Sequence, residues 1–215
     1  ERNTGDGLTV YSNNTNIPQY RTLPSGTTTW SSAVSVPNWP GAGTPLWVRL
    51  EANPDPASNE MILVALDTLY DLRGAVWNGS TFVSTFTLTT GAPYIWQQGF
   101  DVAYTQNPAD ELSYKGLIVY QEGTADGLIR YNIWYSTSQV LSSTNTGASG
   151  SAYDLDTGVT LDIPRFIKLA ADPSSEKIAI GVEDDQGDLT ILIFDGAAQV
   201  LNDTLALRNA ETALT

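Results

Sequence analysis

The stretch "YDLDTGVTLD" at residues 153–162 holds the side chains best suited to binding a metal ion. Asp154, Asp156 and Asp162 flank Gly158, and carboxylates at every second position can converge on a cation as the chain turns. Oxygen ligands of this kind suit Ca²⁺. The spacing matches part of an EF-hand loop but lacks its closing Glu. Two alternatives follow, a Ca²⁺ site or a solvated acidic loop between strands, and no other cofactor is predicted.

The composition excludes several kinds of catalysis. The chain has no Cys and no His, so it has no thiol nucleophile, no Ser-His-Asp triad and no His or Cys ligand for zinc. Paired carboxylates could still hydrolyse a glycosidic bond. The acidic residues, however, recur at matching turn positions, such as Glu60 and Glu176, whereas a catalytic pair is needed only once. The sequence therefore favours a protein that is not an enzyme.

The charge balance restricts the partners of the chain. The chain has ten Lys and Arg residues and 24 Asp and Glu residues, which gives a formal net charge of −14. This field repels nucleic acid and anionic membranes, and no apolar run reaches the roughly 18 residues that a membrane span needs. Cations, glycans and other proteins remain as possible partners. Low Lys content beside abundant Ser, Thr, Asn and Gly favours an extracellular or cell-surface location. Because the chain opens at Glu1 rather than Met, it is expected to be part of a longer product.

Short runs rich in β-branched and aromatic residues predict strands throughout the chain. Examples are "MILVALDT" at 61–68, "GLIVYQE" at 116–122 and "KIAIGVED" at 177–184, each bounded by Gly, Pro, Asn or Asp. Only the segment 202–214 shows spacing that would also fit a short helix. The sequence therefore predicts an all-β protein.

The predicted strands recur in a fixed order of four kinds. In sequence order these are A (46–52, 99–105 and 165–171), B (7–11, 61–67, 116–122 and 177–183), C (18–23, 71–77, 127–135 and 188–194) and D (27–36, 80–88, 138–143 and 198–207). Successive B segments are about 50–60 residues apart, a period typical of β-propeller blades. One four-stranded sheet cannot cover both of its faces, but stacked neighbours can.

The predicted fold is a single β-propeller-like domain over residues 1–215. It has about four four-stranded antiparallel blades, with approximate bounds 1–45, 46–98, 99–164 and 165–215. The array is incomplete at its ends, because the first blade has no A segment. A sheet that lacks a strand leaves backbone groups unpaired. Another copy of the chain, or a longer parent chain, is therefore expected to supply a strand.

Two resemblances to known families follow from these motifs. The pattern "WVRLEANP…NEMILVALD…VWNG", with "GFDVAY" at 99–104 and "GLIVYQEG" at 116–123, resembles tandem-repeat β-propeller proteins of bacterial cell surfaces. That resemblance implies an architecture and a cell-surface or secreted location. The segment "GLIVYQEGTADGLIRYNIW" at 116–134 is similar to a blade of the fucose-binding propeller lectins. That similarity implies a glycan site between adjacent blades, with Glu122, Arg130 and Trp134 as its ligand-binding candidates.

Three functional hypotheses remain. The first is a non-enzymatic extracellular or cell-surface propeller module that scaffolds, adheres or assembles into a fibre or array. The alternative is a glycan-binding lectin with sites between blades. A glycoside-active enzyme is the least favoured.

Overall fold

The computed structural model describes residues 1, 3–92, 96–106, 114–122, 129–142 and 163–207 of the 215-residue chain. All regular structure within these residues is β-strand. The strands are β1 (Gly7–Tyr11), β2 (Gln19–Leu23), β3 (Val34–Ser35), β4 (Pro45–Ala52), β5 (Met61–Asp67), β6 (Leu72–Trp77), β7 (Phe82–Thr89), β8 (Phe100–Tyr104), β9 (Lys115–Gln121), β10 (Ile129–Tyr135), β11 (Val140–Leu141), β12 (Pro164–Ala171), β13 (Lys177–Asp184), β14 (Leu189–Asp195) and β15 (Val200–Leu207).

The strands form four antiparallel sheets in which neighbours in the chain are neighbours in space. Sheet 1 contains β1–β3, sheet 2 contains β4–β7, sheet 3 contains β8–β11 and sheet 4 contains β12–β15. The predicted all-β fold of antiparallel sheets is therefore confirmed. Sheet 1 has three strands in the described part of the chain, as expected from its missing A segment. Strand β15 also shows that the segment from residue 202 is extended as far as Leu207.

The chain folds into two compact units, Glu1–Gly91 and Ala92–Thr215. Sheets 1 and 2 belong to unit 1, and sheets 3 and 4 belong to unit 2. Strand β4 begins at Pro45, one residue before the predicted start of the second blade. The single-domain division stays a prediction.

Unit 1 is held together by an aromatic cluster between its two sheets. Tyr20 of sheet 1 packs on Trp77 and Phe82 of sheet 2, with ring centroids 5.3–5.4 Å apart and edge-to-face geometry. All three rings are less than 10% exposed. Aromatic pairs with this geometry add roughly 0.5–1.5 kcal/mol beyond the burial of their area.

Unit 2 is built in the same way. Tyr131 of β10 meets Phe194 of β14 edge to face at 6.0 Å, within a cluster of aliphatic residues from both sheets. Strand β12 also meets sheet 3 through the main chain, because Leu169 N donates to the buried carboxylate of Asp101 (3.0 Å) and Ile167 N donates to Gln98 O (3.1 Å).

The same pattern of hydrogen bonds occurs within sheet 1 and within sheet 3, at the outer strand of each. In sheet 1, Ser31 N donates to Thr22 O, and Ser31 Oγ accepts from Thr22 N. In sheet 3, Ser142 makes the same two bonds with Ile133. A serine side chain thus replaces a main-chain partner, which explains why β3 and β11 have only two residues each.

Sheet 4 differs from sheet 2 in the burial of its second strand. The apolar runs at residues 61–66 and 178–182 predict strands that are covered on both faces, and in β5 all seven residues are indeed buried. Strand β13 instead alternates, and Ala179, Gly181 and Glu183 are partly or fully exposed. These positions match Ile62, Val64 and Leu66, which are at most 1% exposed. The continuous-burial prediction is therefore wrong for β13, because one face of sheet 4 is open.

No helix in the described ranges is long and apolar enough to pass through a membrane.

Candidate functional site

The structure brings two of the predicted ligand-binding residues together. Arg130 Nε lies 2.7 Å from Glu122 Oε2, and the side chains are 19% and 37% exposed. The strand register explains the contact, because Arg130 pairs with Tyr120 on the neighbouring strand. Side chains two residues apart on a strand share a face, so Glu122 projects from the same side of the sheet as Tyr120 and Arg130.

Trp134, the third predicted member, is a buried residue. It lies four positions beyond Arg130 on β10, is 1% exposed, and its indole Nε1 has no hydrogen-bond partner. The ring is therefore not an exposed platform for a sugar. Its part in binding stays a prediction, and the accessible members of the predicted group are Glu122 and Arg130.

The candidate Ca²⁺ ligands Asp154, Asp156 and Asp162 lie outside the described residues. Among the residues that the structure does describe, no group of three or more acidic side chains is placed to hold a metal ion. The Ca²⁺ site therefore stays a prediction.

A second arginine–carboxylate pair lies in unit 1, and sequence reasoning missed it. Arg73 Nη2 is 2.5 Å from Asp71 Oδ2, and both side chains are only 12% exposed. Arg73 Nη1 also donates to Thr87 Oγ1 at 2.9 Å. Arg73 is the second residue of β6, as Arg130 is of β10. The shared arginine in "DLRG" and "GLIRY" was the available sequence signal.

Trp39 and Gly41 complete the surroundings of Arg73. A Cβ built on Gly41 would lie 2.4 Å from Trp39 Nε1 and 3.5 Å from Arg73 Cδ, so the Trp39 ring packs closely on Gly41 beside the Arg73 side chain. Trp39 is 9% exposed. Trp39 Nε1 and Arg73 Nε are both buried without a hydrogen-bond partner. Buried donors are nearly always satisfied, so these two N–H groups are exceptions that lack an acceptor. We call Trp39, Gly41, Asp71, Arg73 and Thr87 the Arg73 site.

An acidic turn fixes the Arg73 site in place. Asp67 Oδ1 accepts hydrogen bonds from Leu69 N (2.8 Å) and Asp71 N (3.1 Å), and its other oxygen accepts from Gly43 N (3.1 Å). Thr44 and Thr68 exchange two further bonds of 3.0 Å. The loop that carries Trp39 and Gly41 is thereby tied to the turn that carries Asp71.

The turn in sheet 4 repeats the two hydrogen bonds that Asp67 Oδ1 accepts within its own turn. Asp184 Oδ1 accepts from Gln186 N and Asp188 N, both at 3.0 Å. These acidic residues act as turn formers, as the sequence favoured. The position of Arg73 is occupied here by Thr190, since Thr190 pairs with Val182 as Arg73 pairs with Ala65. Unit 2 therefore has the turn in sheet 4 but lacks the arginine there.

The two turns differ at their fourth residue. Tyr70 has φ of +67°, and Gly187 has φ of +85°. A left-handed backbone costs a residue with a Cβ about 1–2 kcal/mol, and glycine avoids that cost. Tyr70 is 44% exposed and the neighbouring Leu69 is 54% exposed.

A second pair of matching turns, at residues 53–60 and 172–177, corrects the alignment of Glu60 with Glu176. Asn53 N donates to Glu60 O, and Asp172 N donates to Lys177 O, both at 2.9 Å. The structural counterpart of Glu60 is therefore Lys177 and not Glu176. Glu176 instead pairs with Lys115 Nζ at 2.9 Å.

No protein-family model and no curated protein matches the sequence. Solved structures do resemble it. AofleA from Arthrobotrys oligospora has a TM-score of 0.60 at 13% identity, over 98% of this chain and 55% of that one. The lectin of Aleuria aurantia, described as a six-bladed β-propeller with a novel fucose recognition mode, has a TM-score of 0.52 at 10% identity, over 98% and 59%. A variant of that lectin in complex with alpha-methyl-L-fucoside has a TM-score of 0.53 at 12% identity, over 97% and 58%.

These identities are low, so the likeness concerns the fold. The chain is an all-β protein of the β-propeller type, and it spans less than two thirds of the length of these neighbours.

Proposed function

We propose that this chain is a carbohydrate-binding β-propeller module that binds neutral sugars at the Arg73 site. The observation that carries the proposal is the pair of buried N–H donors, Trp39 Nε1 and Arg73 Nε, that lack acceptors beside the carboxylate of Asp71. Sugar hydroxyls both accept and donate hydrogen bonds, so they suit a site with donors and a carboxylate. The likeness to a lectin that binds alpha-methyl-L-fucoside supports the same ligand class.

The charge of the site favours neutral ligands over acidic ones. The guanidinium of Arg73 is paired at 2.5 Å with a carboxylate of equal burial, so the pair has no net charge. The chain as a whole has a net charge of −14. An anionic sugar would therefore meet a repulsive field without a free cation to compensate it.

The Arg130–Glu122 pair is the proposed second site. Its geometry repeats that of Arg73 and Asp71 in two ways, with an arginine at the second position of the third strand of a sheet and a carboxylate within ion-pair distance. Arg130 Nε is buried, and its close approach to Glu122 lacks the angles of a hydrogen bond. One chain would thus offer two sugar sites of different composition.

The proposal does not include hydrolysis of the bound sugar. At the Arg73 site, Asp67 accepts three main-chain hydrogen bonds and Asp71 is paired with Arg73. Glycoside hydrolysis needs two carboxyl groups that are free to act on the substrate, whereas these two are already engaged by main-chain donors and by an arginine.

A glycan array followed by titration with methyl α-L-fucoside tests the proposal, in the presence and absence of Ca²⁺. Arg73→Gln and Arg130→Gln are each expected to weaken binding at their own site, because charge-assisted hydrogen bonds are lost. The matched control is Arg49→Gln, which removes an arginine from a more exposed ion pair with Glu51. A blank array with the folded wild-type protein, or equal binding by all three variants, would contradict the proposal.

A second candidate function is assembly at the cell surface or outside the cell. The observation that favours it is the open face of sheet 4, where Phe166 is 41% exposed and Leu189 is 36% exposed. Exposed apolar area of this kind is common at interaction surfaces. Light scattering over a range of concentrations would test it, with Phe166→Glu expected to reduce any association. A wild-type protein that stays monomeric at the highest concentration would exclude it.

A further inference from the structure

The open face of sheet 4 has a cavity at one end. The strand register places Ala170, Ala179 and Ile193 side by side across β12, β13 and β14, and all three line an open cavity of about 450 Å³. In sheet 2 the positions of Ala179 and Ile193 are occupied by Ile62 and Val76, which are fully buried. That face of sheet 2 is therefore covered, whereas the matching face of sheet 4 is open in the described part of the chain.

The other end of this face has a carboxylate. Glu183 is exposed and lies four residues beyond Ala179 on β13, roughly 13 Å along the same face. Its counterpart in the covered face of sheet 2 is Leu66, which is 1% exposed. Lys168, a basic residue of the open face, is already paired with Asp101 at 3.3 Å. The open face thus combines an apolar cavity with an exposed negative charge.

The face of sheet 1 that points away from sheet 2 has an exposed tryptophan. Leu8 packs into the core with sheet 2, so the neighbouring Gly7 lies on the opposite face, which we call the outer face of sheet 1. A Cβ built on Gly7 would lie 3.5 Å from the Trp30 ring, and Trp30 is 41% exposed. Trp30 therefore projects at the outer face, beside the start of β1.

The outer face of sheet 1 also has a cation. Arg21 pairs with Thr9 of β1; its Nε donates to Tyr11 Oη at 3.3 Å and its Nη1 donates to Ser31 O at 3.2 Å. Both acceptors are neutral. At the matching position sheet 3 has Asn132, which is 2% exposed. Each open face thus has a charged residue where a covered face has a neutral one, and the two charges have opposite sign.

The two faces also match in the order of these features. Strands β1 and β13 are both B strands of the repeat. On sheet 1, Trp30 lies beside the start of β1 and Arg21 reaches the residue at its end. On sheet 4, the cavity lies near the start of β13 and Glu183 near its end. Packing with these two strands parallel therefore brings ring to cavity and cation to carboxylate at the same time.

We propose that the open face of sheet 4 binds the outer face of sheet 1 of a second copy of the chain. Trp30 of one copy fills the cavity of the other, and Arg21 pairs with Glu183. Because the contact joins two different faces, each added copy leaves one of each free, and association continues unless a ring closes. The inference rests on the second candidate function, assembly, and names the surfaces that carry it.

Charge reversal tests the pairing, by sedimentation velocity over a range of concentrations. Arg21→Glu and Glu183→Arg are each expected to weaken association at least tenfold, because each places like charges opposite one another. Glu183→Arg makes the net charge less negative, so general repulsion alone would predict the reverse. An equimolar mixture of the two variants is expected to restore association, since every contact then joins opposite charges again. A variant that had merely misfolded would not be rescued by mixing.

Removal of the ring tests the apolar half of the contact. Trp30→Ser is expected to weaken association severalfold, because the cavity is left unfilled. The matched control is Trp96→Ser, which removes a tryptophan that is 79% exposed and is expected to leave association unchanged. Circular dichroism melts show whether each variant is folded.

Three results would overturn the inference. If the wild type stays monomeric at the highest concentration, assembly and the inference fail together. If the wild type associates but both charge variants associate as strongly, or their mixture restores nothing, assembly stands and these faces do not carry it. If Trp96→Ser weakens association as much as Trp30→Ser, the docking of Trp30 in the cavity is wrong.

Discussion

Among single residues, Asp172 has the clearest electrostatic signature. Hydrogen bonds from the hydroxyl of Ser175, the main-chain N–H of Ser174 and the hydroxyl of Ser174 lower the pKa of Asp172 from its ordinary 3.8 to about 2. Since the folded state binds the proton less tightly than the unfolded chain, the ionised carboxylate stabilises the fold above pH 3.8. That contribution is lost as the pH falls from 3.8 to about 2.

Asp172→Asn is therefore expected to remove part of the acid sensitivity of the protein. Asn keeps the bond from the main chain, as Asn53 does at the matching position where its Oδ1 accepts from Asp55 N at 3.0 Å. The wild type should have the higher melting temperature at neutral pH, and the difference should shrink as the pH falls towards 2. Circular dichroism melts across pH measure this, and a difference that does not change with pH would contradict it.

The residues of the two proposed sites were only partly predictable from sequence. Glu122 and Arg130 were found because both fall within one short segment, 116–134, that resembles a lectin blade. Arg73 was missed as a neighbour of Trp39, because the strand and the loop that carry them are more than 30 residues apart in sequence. They become neighbours only through the bonds of Asp67 to the main chain of the loop and of its own turn.

At the scale of elements, the acidic turns do most to fix local structure. Asp67→Ala is expected to destabilise the fold by roughly 2–4 kcal/mol, because three main-chain donors lose a charged acceptor in a buried environment. Asp184→Ala should cost less, since Asp184 Oδ1 accepts two such bonds and its Oδ2 has no partner. Denaturant unfolding measures both values, and an Asp184→Ala variant less stable than Asp67→Ala would contradict this order.

Two glycines at strand positions make a matched test of packing. A Cβ on Gly74 would lie 2.3 Å from the Phe86 ring and 2.8 Å from the main-chain oxygen of Leu63, whereas a Cβ on Gly181 would lie 3.8 Å from its nearest neighbour. Gly74→Ala is expected to destabilise the protein by about 1–3 kcal/mol through overpacking. Gly181→Ala should stabilise it by about 0.5–1 kcal/mol by restricting the unfolded chain. Equal effects of the two substitutions on the unfolding midpoint would be inconsistent with this difference in space.

Strand prediction succeeded where apolar runs end at a clear turn former and failed where hydrogen bonds from side chains intervene. The predicted bounds 61–67 coincide with Met61–Asp67, a run of apolar residues that ends at the turn former Asp67. The predicted strand 27–36 is reduced to Val34–Ser35. Ser31 breaks the ladder there by accepting the N–H of Thr22 with its hydroxyl, a competition between side chain and backbone that apolar periodicity does not show.

For the whole molecule, the excess of acidic groups sets the response to salt. A net charge of −14 repels itself in the compact state. Raising NaCl from about 10 mM to about 500 mM shortens the screening length from about 30 Å to only a few Å, so the melting temperature is expected to rise. A fall in melting temperature over this range would mean that ion pairs such as Lys115–Glu176 outweigh the repulsion.

The overall class was predictable because the order of strand types repeats along the chain. The exposure of one face of sheet 4 was not predictable, because Ala179 and Gly181 still fit a strand pattern in the sequence. Only their comparison with Ile62 and Val64 shows that the apolar volume of the matching positions is missing.

The turns at residues 67–71 and 184–188 have the same backbone hydrogen bonds, so one turn sequence can be exchanged for the other. Each turn is five residues long and closes with the same carboxylate and backbone bonds. A transplant of "DTLYD" into sheet 4, together with Thr190→Arg, is expected to preserve the scaffold and to create a second copy of the Arg73–Asp71 pair. Under the proposed function, each such graft would add one sugar site to the chain.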